Sequence, residues 1–101
     1  MKIIIIGAGD VGFYIADKLC REGRQVVIID NDNERLMSME EHIDAQFING
    51  NGSSPDLLLR AGIEQAGMLI AVTNRDEINL VACMVAHHFS PQTLKIARMR
   101  N

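Results

Sequence analysis

The stretch "KIIIIGAGDVGFYIADKL", residues 2–19, decides the fold. Four isoleucines run without a polar interruption into Gly7, Gly9 and Gly12, and a helical pattern follows at once. An apolar run of that kind reads as a strand buried on both faces. A G-x-G-x-x-G turn between such a strand and a helix holds phosphates against the helix N-terminus. Each glycine has its own task. Gly7 permits the tight turn, Gly9 lets a pyrophosphate approach the backbone, and Gly12 lets the helix pack close to the strand. Ala8, Asp10 and Val11 fill the turn, whose free N–H groups over residues 9–12 act with the helix dipole on the anion. Asp10 is expected to cap the helix and point outward, since carboxylates suit a first helical turn. The next apolar run, "QVVIID" (25–30), ends on Asp30, eighteen residues past Gly12. A carboxylate there accepts the hydroxyls of an adenosine ribose.

The rest of the chain repeats this alternation. Residues 11–22 read as a helix with Val11, Ile15 and Leu19 on one stripe, ending before Gly23. Asp32 caps a short helix running through Arg35, Met39 and Glu41, and "AQFIN" (45–49) is a weaker third strand near an edge. Ser54-Pro55-Asp56 starts a helix that closes at Gly62. "GMLIAVT" (67–73) is the fourth strand, "DEINLVACMVAHHF" (76–89) an apolar helix, and "TLKIARM" (93–99) the fifth strand after Pro91. Doubly apolar strands joined by helices predict an α/β fold, a Rossmann-like doubly wound parallel sheet in the order 3-2-1-4-5. Residues 1–101 form one dinucleotide-binding domain, which stops just after the fifth strand as an excised part of a longer chain would.

Composition narrows the function. A formal net charge of −3 argues against a general nucleic-acid binder, which needs a basic surface. No apolar run approaches the ~18 residues of a membrane span, and Gly7 interrupts any signal-peptide core, so direct membrane insertion is not expected. Cys20 and Cys83 lack metal-ligand spacing and read as buried reduced thiols of a cytosolic protein.

In a sheet of this order the ligand lies at the switch point, between the carboxyl ends of strands one and four. Thr73 and Asn74 end strand four and should face the phosphates across it. "NGNGS" (49–53) is placed to skirt the adenine, and Arg98 and Arg100 share a face at the end of strand five. Asp30 would repel a 2′-phosphate, so NAD or NADH is favoured over NADP, while ATP and ADP stay open because the same residues serve any adenosine diphosphate. Arg35, a turn further on, reads as a solvated helix residue. The side chains able to act on a substrate (His42, His87, His88, Cys20, Cys83 and Tyr14) do not assemble an acid, a base and a clamp. The chain reads as a nucleotide binder without chemistry of its own.

"KIIIIGAGDVG", "VVIIDND", "NGNGSSPDLLLRAGIEQAGMLIAVTNRDEINLVACMVA" and "IARMRN" together resemble the N-terminal nucleotide-binding domain of Trk-type potassium-uptake regulatory subunits, the RCK or KTN family. The likeness spans nearly the whole chain; Gly67 stands where the family has Asp at the start of strand four. It implies a non-catalytic domain that binds NAD(H) or adenine nucleotides and controls a membrane potassium transporter. It further implies a cytoplasmic location at the inner face of the membrane, and homo-oligomers. By the same likeness Gly7 to Val11 form the phosphate loop, Asp30 binds the ribose, and Asn51 and Gly52 lie beside the adenine. Thr73 and Asn74 stand at the switch, with Arg98 beyond. The alternative is the cofactor-binding portion of an NAD-dependent oxidoreductase lacking its catalytic domain.

Overall fold

The computed structural model describes residues 1–100; Asn101, which ends both the predicted domain and "IARMRN", lies outside the described residues. The elements run β1 (Lys2–Ile6), α1 (Asp10–Arg21), β2 (Gln25–Asp30), α2 (Asn33–Glu40), β3 (Gln46–Asn49), α3 (Pro55–Ala61), β4 (Ala66–Ala71), α4 (Asp76–Phe89) and β5 (Leu94–Ala97). All the strand pairs are parallel and the order is β3-β2-β1-β4-β5, as the apolar runs and the glycine turn predict.

The isoleucines of β1 explain why the sheet is covered on both sides. Ile4 and Ile6 face a core closed by α3 and α4, where Leu58, Ala61, Ala82 and Ala86 are buried. Ile3 and Ile5 face the opposite core, closed by α1 and α2 with Ala16, Leu36 and Met39. None of the four is more than 1% exposed, and burying each side chain contributes roughly 1.5–3 kcal/mol. Helix starts follow local chemistry. Asp32 accepts from Glu34 N and Arg35 N (3.0 and 3.3 Å), and Ser54 accepts from Leu57 N (3.4 Å) ahead of Pro55.

Several details differ from the expectations drawn from sequence. Strand β5, expected over 93–99, spans only Leu94–Ala97, so Arg98 and Arg100 lie just beyond it and not on it. A single 3-10 turn, Ile63–Gln65, stands between α3 and β4. Strand β4 ends at Ala71: Val72 N still donates to Ile6 O (2.8 Å), but Thr73 N is captured by the Asn79 side chain (3.0 Å). Helix α1 is also rotated. Its inward face is Gly12 and Ala16, with Ile15 and Leu19 half-buried, whereas Val11 is 41% exposed. The helix approaches the sheet through its smallest residues, and that close approach turns Val11 out of the core.

The register aligns the strand ends. Ile6 pairs with Ile29 and Ala71, Asp30 with Asn49, and Ala71 with Ala97, so all strands end along one rim.

Candidate functional site

A crevice of about 420 Å³ opens on that rim, between the carboxyl ends of β1 and β4. Ten of the twelve predicted site residues line it: Gly7, Gly9, Asp10, Val11, Asp30, Asn51, Gly52, Thr73, Asn74 and Arg98. The other two, Ala8 and Gly12, are buried, Ala8 on the wall of a smaller neighbouring hollow.

The glycine turn shows why each position is small. Gly7 has φ +118°, a conformation side chains rarely adopt, and a Cβ there would lie 3.0 Å from Val72 O. A Cβ on Gly12 would collide with the Gly7 carbonyl, so the helix can sit this close only through glycine. Gly9 is different. Its φ of −79° suits any residue, and a Cβ would meet only the Arg35 guanidinium, at 3.9 Å. The fold therefore does not require glycine at position 9; the bare backbone there faces open crevice. The first helical bond is Phe13 N to Gly9 O (2.9 Å), which leaves the earlier amides of the turn outside the helix ladder. Asp10 does not cap the helix as expected. It is exposed in the first turn, and the N-cap position falls on Gly9, which has no side chain to cap with.

Asp30 is 8% exposed and ties two loops together. Its Oδ2 accepts from Ala8 N at 2.6 Å and its Oδ1 from Asp32 N at 2.7 Å. On the β3 side, Asn51 Oδ1 accepts from Ser53 N (2.9 Å) and Ser53 Oγ (2.8 Å), fixing the turn that carries Gly52. Gly52 is buried against Ile6, with no room for a Cβ.

The opposite wall is built around Asn79, which sequence reasoning missed. This residue is fully buried at the base of α4. Its Oδ1 accepts from Thr73 N (3.0 Å) and Thr73 Oγ1 (2.7 Å). Its Nδ2 donates to Thr73 O (3.1 Å) and Arg98 O (2.8 Å). Thr73, expected to face phosphates, thus spends its hydroxyl on this network, while Asn74 stays exposed on the wall. Arg98 Nη2 also donates to Thr73 O (2.9 Å), and Arg98 Nε is buried without a hydrogen-bond partner among the described residues. The one available signal for Asn79 is a polar residue inside the apolar run "DEINLVACMVA".

Four arginines, at 35, 75, 98 and 100, line the crevice against the carboxylates of Asp10 and Asp30. Arg75 is engaged by Glu77 at 2.6 Å, an exposed pair. Glu77 is held below the usual carboxylate range by its own backbone N–H and then by Arg75. Arg35, expected as a solvated helix residue, is exposed and also forms part of the crevice wall.

The other candidates lie elsewhere. His42 packs edge-on to Phe13 (6.0 Å), His87 and His88 occupy the last turn of α4, and Tyr14 is 68% exposed. The two cysteines, expected to be buried, are only half-buried, because each sits on the flank of its helix and not on the face against the sheet. That partial burial still pushes both thiols up, Cys20 further through Asp44 and Asp17, and Cys83 against an opposing pull from Lys95. Neither cysteine is an activated nucleophile. The described crevice lining holds no His, Cys, Tyr or Lys. No helix among the described residues is long and apolar enough to cross a membrane.

Known proteins share this architecture. The family described as TrkA-N domain matches residues 3–101. The chain is 49% identical over 100 residues to the Trk system potassium uptake protein TrkA of Azorhizobium caulinodans and 48% identical to that of Halomonas elongata. In both cases the match covers 99% of this chain and 22% of the relative. The chain thus spans about a fifth of the length of these curated relatives. Among solved structures, the Kef C-terminal domain of Shewanella denitrificans in its AMP-bound form matches with a TM-score of 0.84 and 25% identity. That likeness covers 100% of this chain and 60% of the other.

Proposed function

The chain belongs to the TrkA-N domain family, and on that premise we propose that it is a nucleotide-sensing regulatory domain. It binds NAD(H) or an adenine nucleotide such as ATP or ADP in the crevice and passes the bound state to a membrane potassium-uptake system. The carrying observation is Gly9, whose missing side chain the fold does not need and a ligand does. The AMP-bound form of the Kef relative supports an adenine nucleotide, and the names of the TrkA relatives support potassium uptake.

The bare amides of residues 9–12 receive the phosphates, and Asp30 receives the ribose. Asn51 and Gly52 flank the adenine, while Thr73, Asn74 and Arg98 form the far wall. Asp30 favours NAD over NADP by repelling a 2′-phosphate. The domain reports on the nucleotide without reacting with it, working in the cytoplasm at the inner face of the membrane. A ligand can bias a switch only by touching its states differently. Here the rim it touches is pinned through Asn79 to α4, so the start of that helix is the element that responds.

The test is a titration with NADH, NAD, ATP, ADP and AMP, together with hydrogen exchange, on the wild type and Gly9→Ala. Gly9→Ala is expected to fold with stability within about 1 kcal/mol of the wild type, the weaker N-cap being partly offset by the lower entropy of the unfolded chain. It should lose nucleotide affinity roughly tenfold or more, because a methyl overlapping the ligand costs about 1–3 kcal/mol. In the wild type, NADH should slow exchange at residues 50–53 and 73–76 and stay reduced with small carbonyl compounds present. Unchanged affinity in Gly9→Ala, identical exchange with and without nucleotide, or steady NADH oxidation would each count against the proposal.

Assembly rests on α4, whose outward face carries Leu80, Val81 and Met84 at 49%, 42% and 62% exposure. Val85 and Phe89 turn inward to the core, so this helix is apolar on more than one face. Homo-oligomers joined through it are expected, and Met84→Glu should shift the sedimentation coefficient toward the monomer. A wild type that stays monomeric at high concentration, with and without nucleotide, would refute this.

A further inference from the structure

We infer that Arg35 is a phosphate ligand of the crevice, clamping the 5′-phosphate of the bound adenosine nucleotide against the glycine turn. This rests on the nucleotide reading of the crevice and adds to it a residue that sits outside the glycine motif and outside the acidic end of β2. Arg35 lies in the first turn of α2, where Asp32 caps the helix and also meets Arg35 Nε at 3.6 Å. Nε faces Asp32, and Nη1 reaches across to the bare face of Gly9, 3.9 Å from where a Cβ would stand.

The side chain is placed for a ligand and contributes little to the fold. It is 52% exposed and its partner Asp32 46%, and ion pairs that open to solvent stabilise little. Arg35 forms the wall shared by the crevice and a smaller hollow beside Phe13 and Met39. An anion held by the amides of residues 9–12 would therefore lie between the helix N-terminus and this guanidinium. A guanidinium presents paired donors that match two phosphate oxygens, and the charge strengthens both bonds. It also offsets the Asp10 carboxylate, which stands exposed at the same mouth.

The proximity to Gly9 selects the phosphate. Gly9 is the position at which a diphosphate approaches the backbone, whereas a 2′-phosphate would project from the ribose beside Asp30. Arg35 should therefore distinguish nucleotides from nucleosides and leave the choice between NADH and NADPH unchanged.

The experiment compares wild type, Arg35→Gln and Arg35→Lys by calorimetric titration with adenosine, AMP, NADH and NADPH, after thermal melting shows each variant folded. Arg35→Gln is expected to weaken AMP and NADH to the same extent, roughly tenfold or more, the usual worth of charged hydrogen bonds. Adenosine affinity and the NADH-to-NADPH ratio should not move. Arg35→Lys should recover part of the loss, since it restores charge without the paired donors. AMP and NADH affinities unchanged from the wild type in Arg35→Gln would overturn the assignment, as would a loss confined to NADPH, which would place the guanidinium at the ribose. A wild type that binds none of the four would instead bring down the nucleotide reading itself, and the assignment with it.

Discussion

Asn79→Ala is expected to lower the stability of the domain by on the order of 3 kcal/mol. The Asn79 side chain is itself fully buried and uses both its oxygen and its nitrogen in four hydrogen bonds, all within 3.1 Å, to the half-buried Thr73 and Arg98. Truncation leaves Thr73 N–H and Arg98 C=O without these partners in a half-buried wall, where an unmet polar group costs up to about 1–3 kcal/mol, and it also empties the fully buried space of the side chain. Thr73 C=O is partly protected because Arg98 Nη2 still donates to it. Urea unfolding should show a lower midpoint with an unchanged slope, the signature of lost stability in an otherwise similar fold. Asn79→Asp keeps the acceptor for Thr73 but turns a second oxygen toward two carbonyls, so it should also destabilise. A loss below about 1 kcal/mol in Asn79→Ala would mean that another element holds the wall and that α4 is not fastened to the crevice here.

That residue marks the boundary of what the sequence reveals. The sheet and its order are legible because the apolar runs at 3–6, 26–29 and 68–72 are short, rich in β-branched residues and bounded by turn residues, as strands buried on both faces are. The glycine turn then places the point where the strand order reverses. Gly7 and Gly12 are legible for the same reason, since the motif encodes backbone sterics and the observed φ and close approach are those sterics. Partner choice is not legible. Nothing in the periodicity of α4 says that Asn79 turns inward to Thr73 and Arg98, because that depends on where two distant strands end. Val11 escapes for a related reason: apolar spacing identifies a stripe, but Gly12 and Ala16 set the rotation of the helix. The place of Arg35 on the crevice wall escapes too, because distance along the chain is blind to a side chain reaching back over the preceding loop. The sequence places Asp30 at the end of β2, where the crevice lies, yet its tie to Ala8 and Asp32 is not legible there.

Asp30→Ala is expected to reduce stability and ligand affinity together, through different atoms of one carboxylate. Stability should fall by roughly 2 kcal/mol, because the Ala8 N–H is buried and loses a charged acceptor at 2.6 Å. Asp32 N–H loses its 2.7 Å bond too, but that bond is only part-buried and water replaces some of the loss. The two inward bonds do not exhaust the group, since an ionised carboxylate has about four acceptor sites on its two oxygens. The remaining sites lie on the crevice side, where the ribose hydroxyls of an adenosine nucleotide would donate to them. Their loss should weaken NADH binding by about 1.5–3 kcal/mol. Asp30→Asn cannot separate the two roles, because its NH2 would confront one of the inward N–H donors. The separation comes from measuring affinity at a temperature where Asp30→Ala remains fully folded. A folded variant that binds NADH as tightly as the wild type would assign the carboxylate to the loops alone. A weakened variant with wild-type stability would mean that the loops do not depend on it, and that ribose recognition is its whole task.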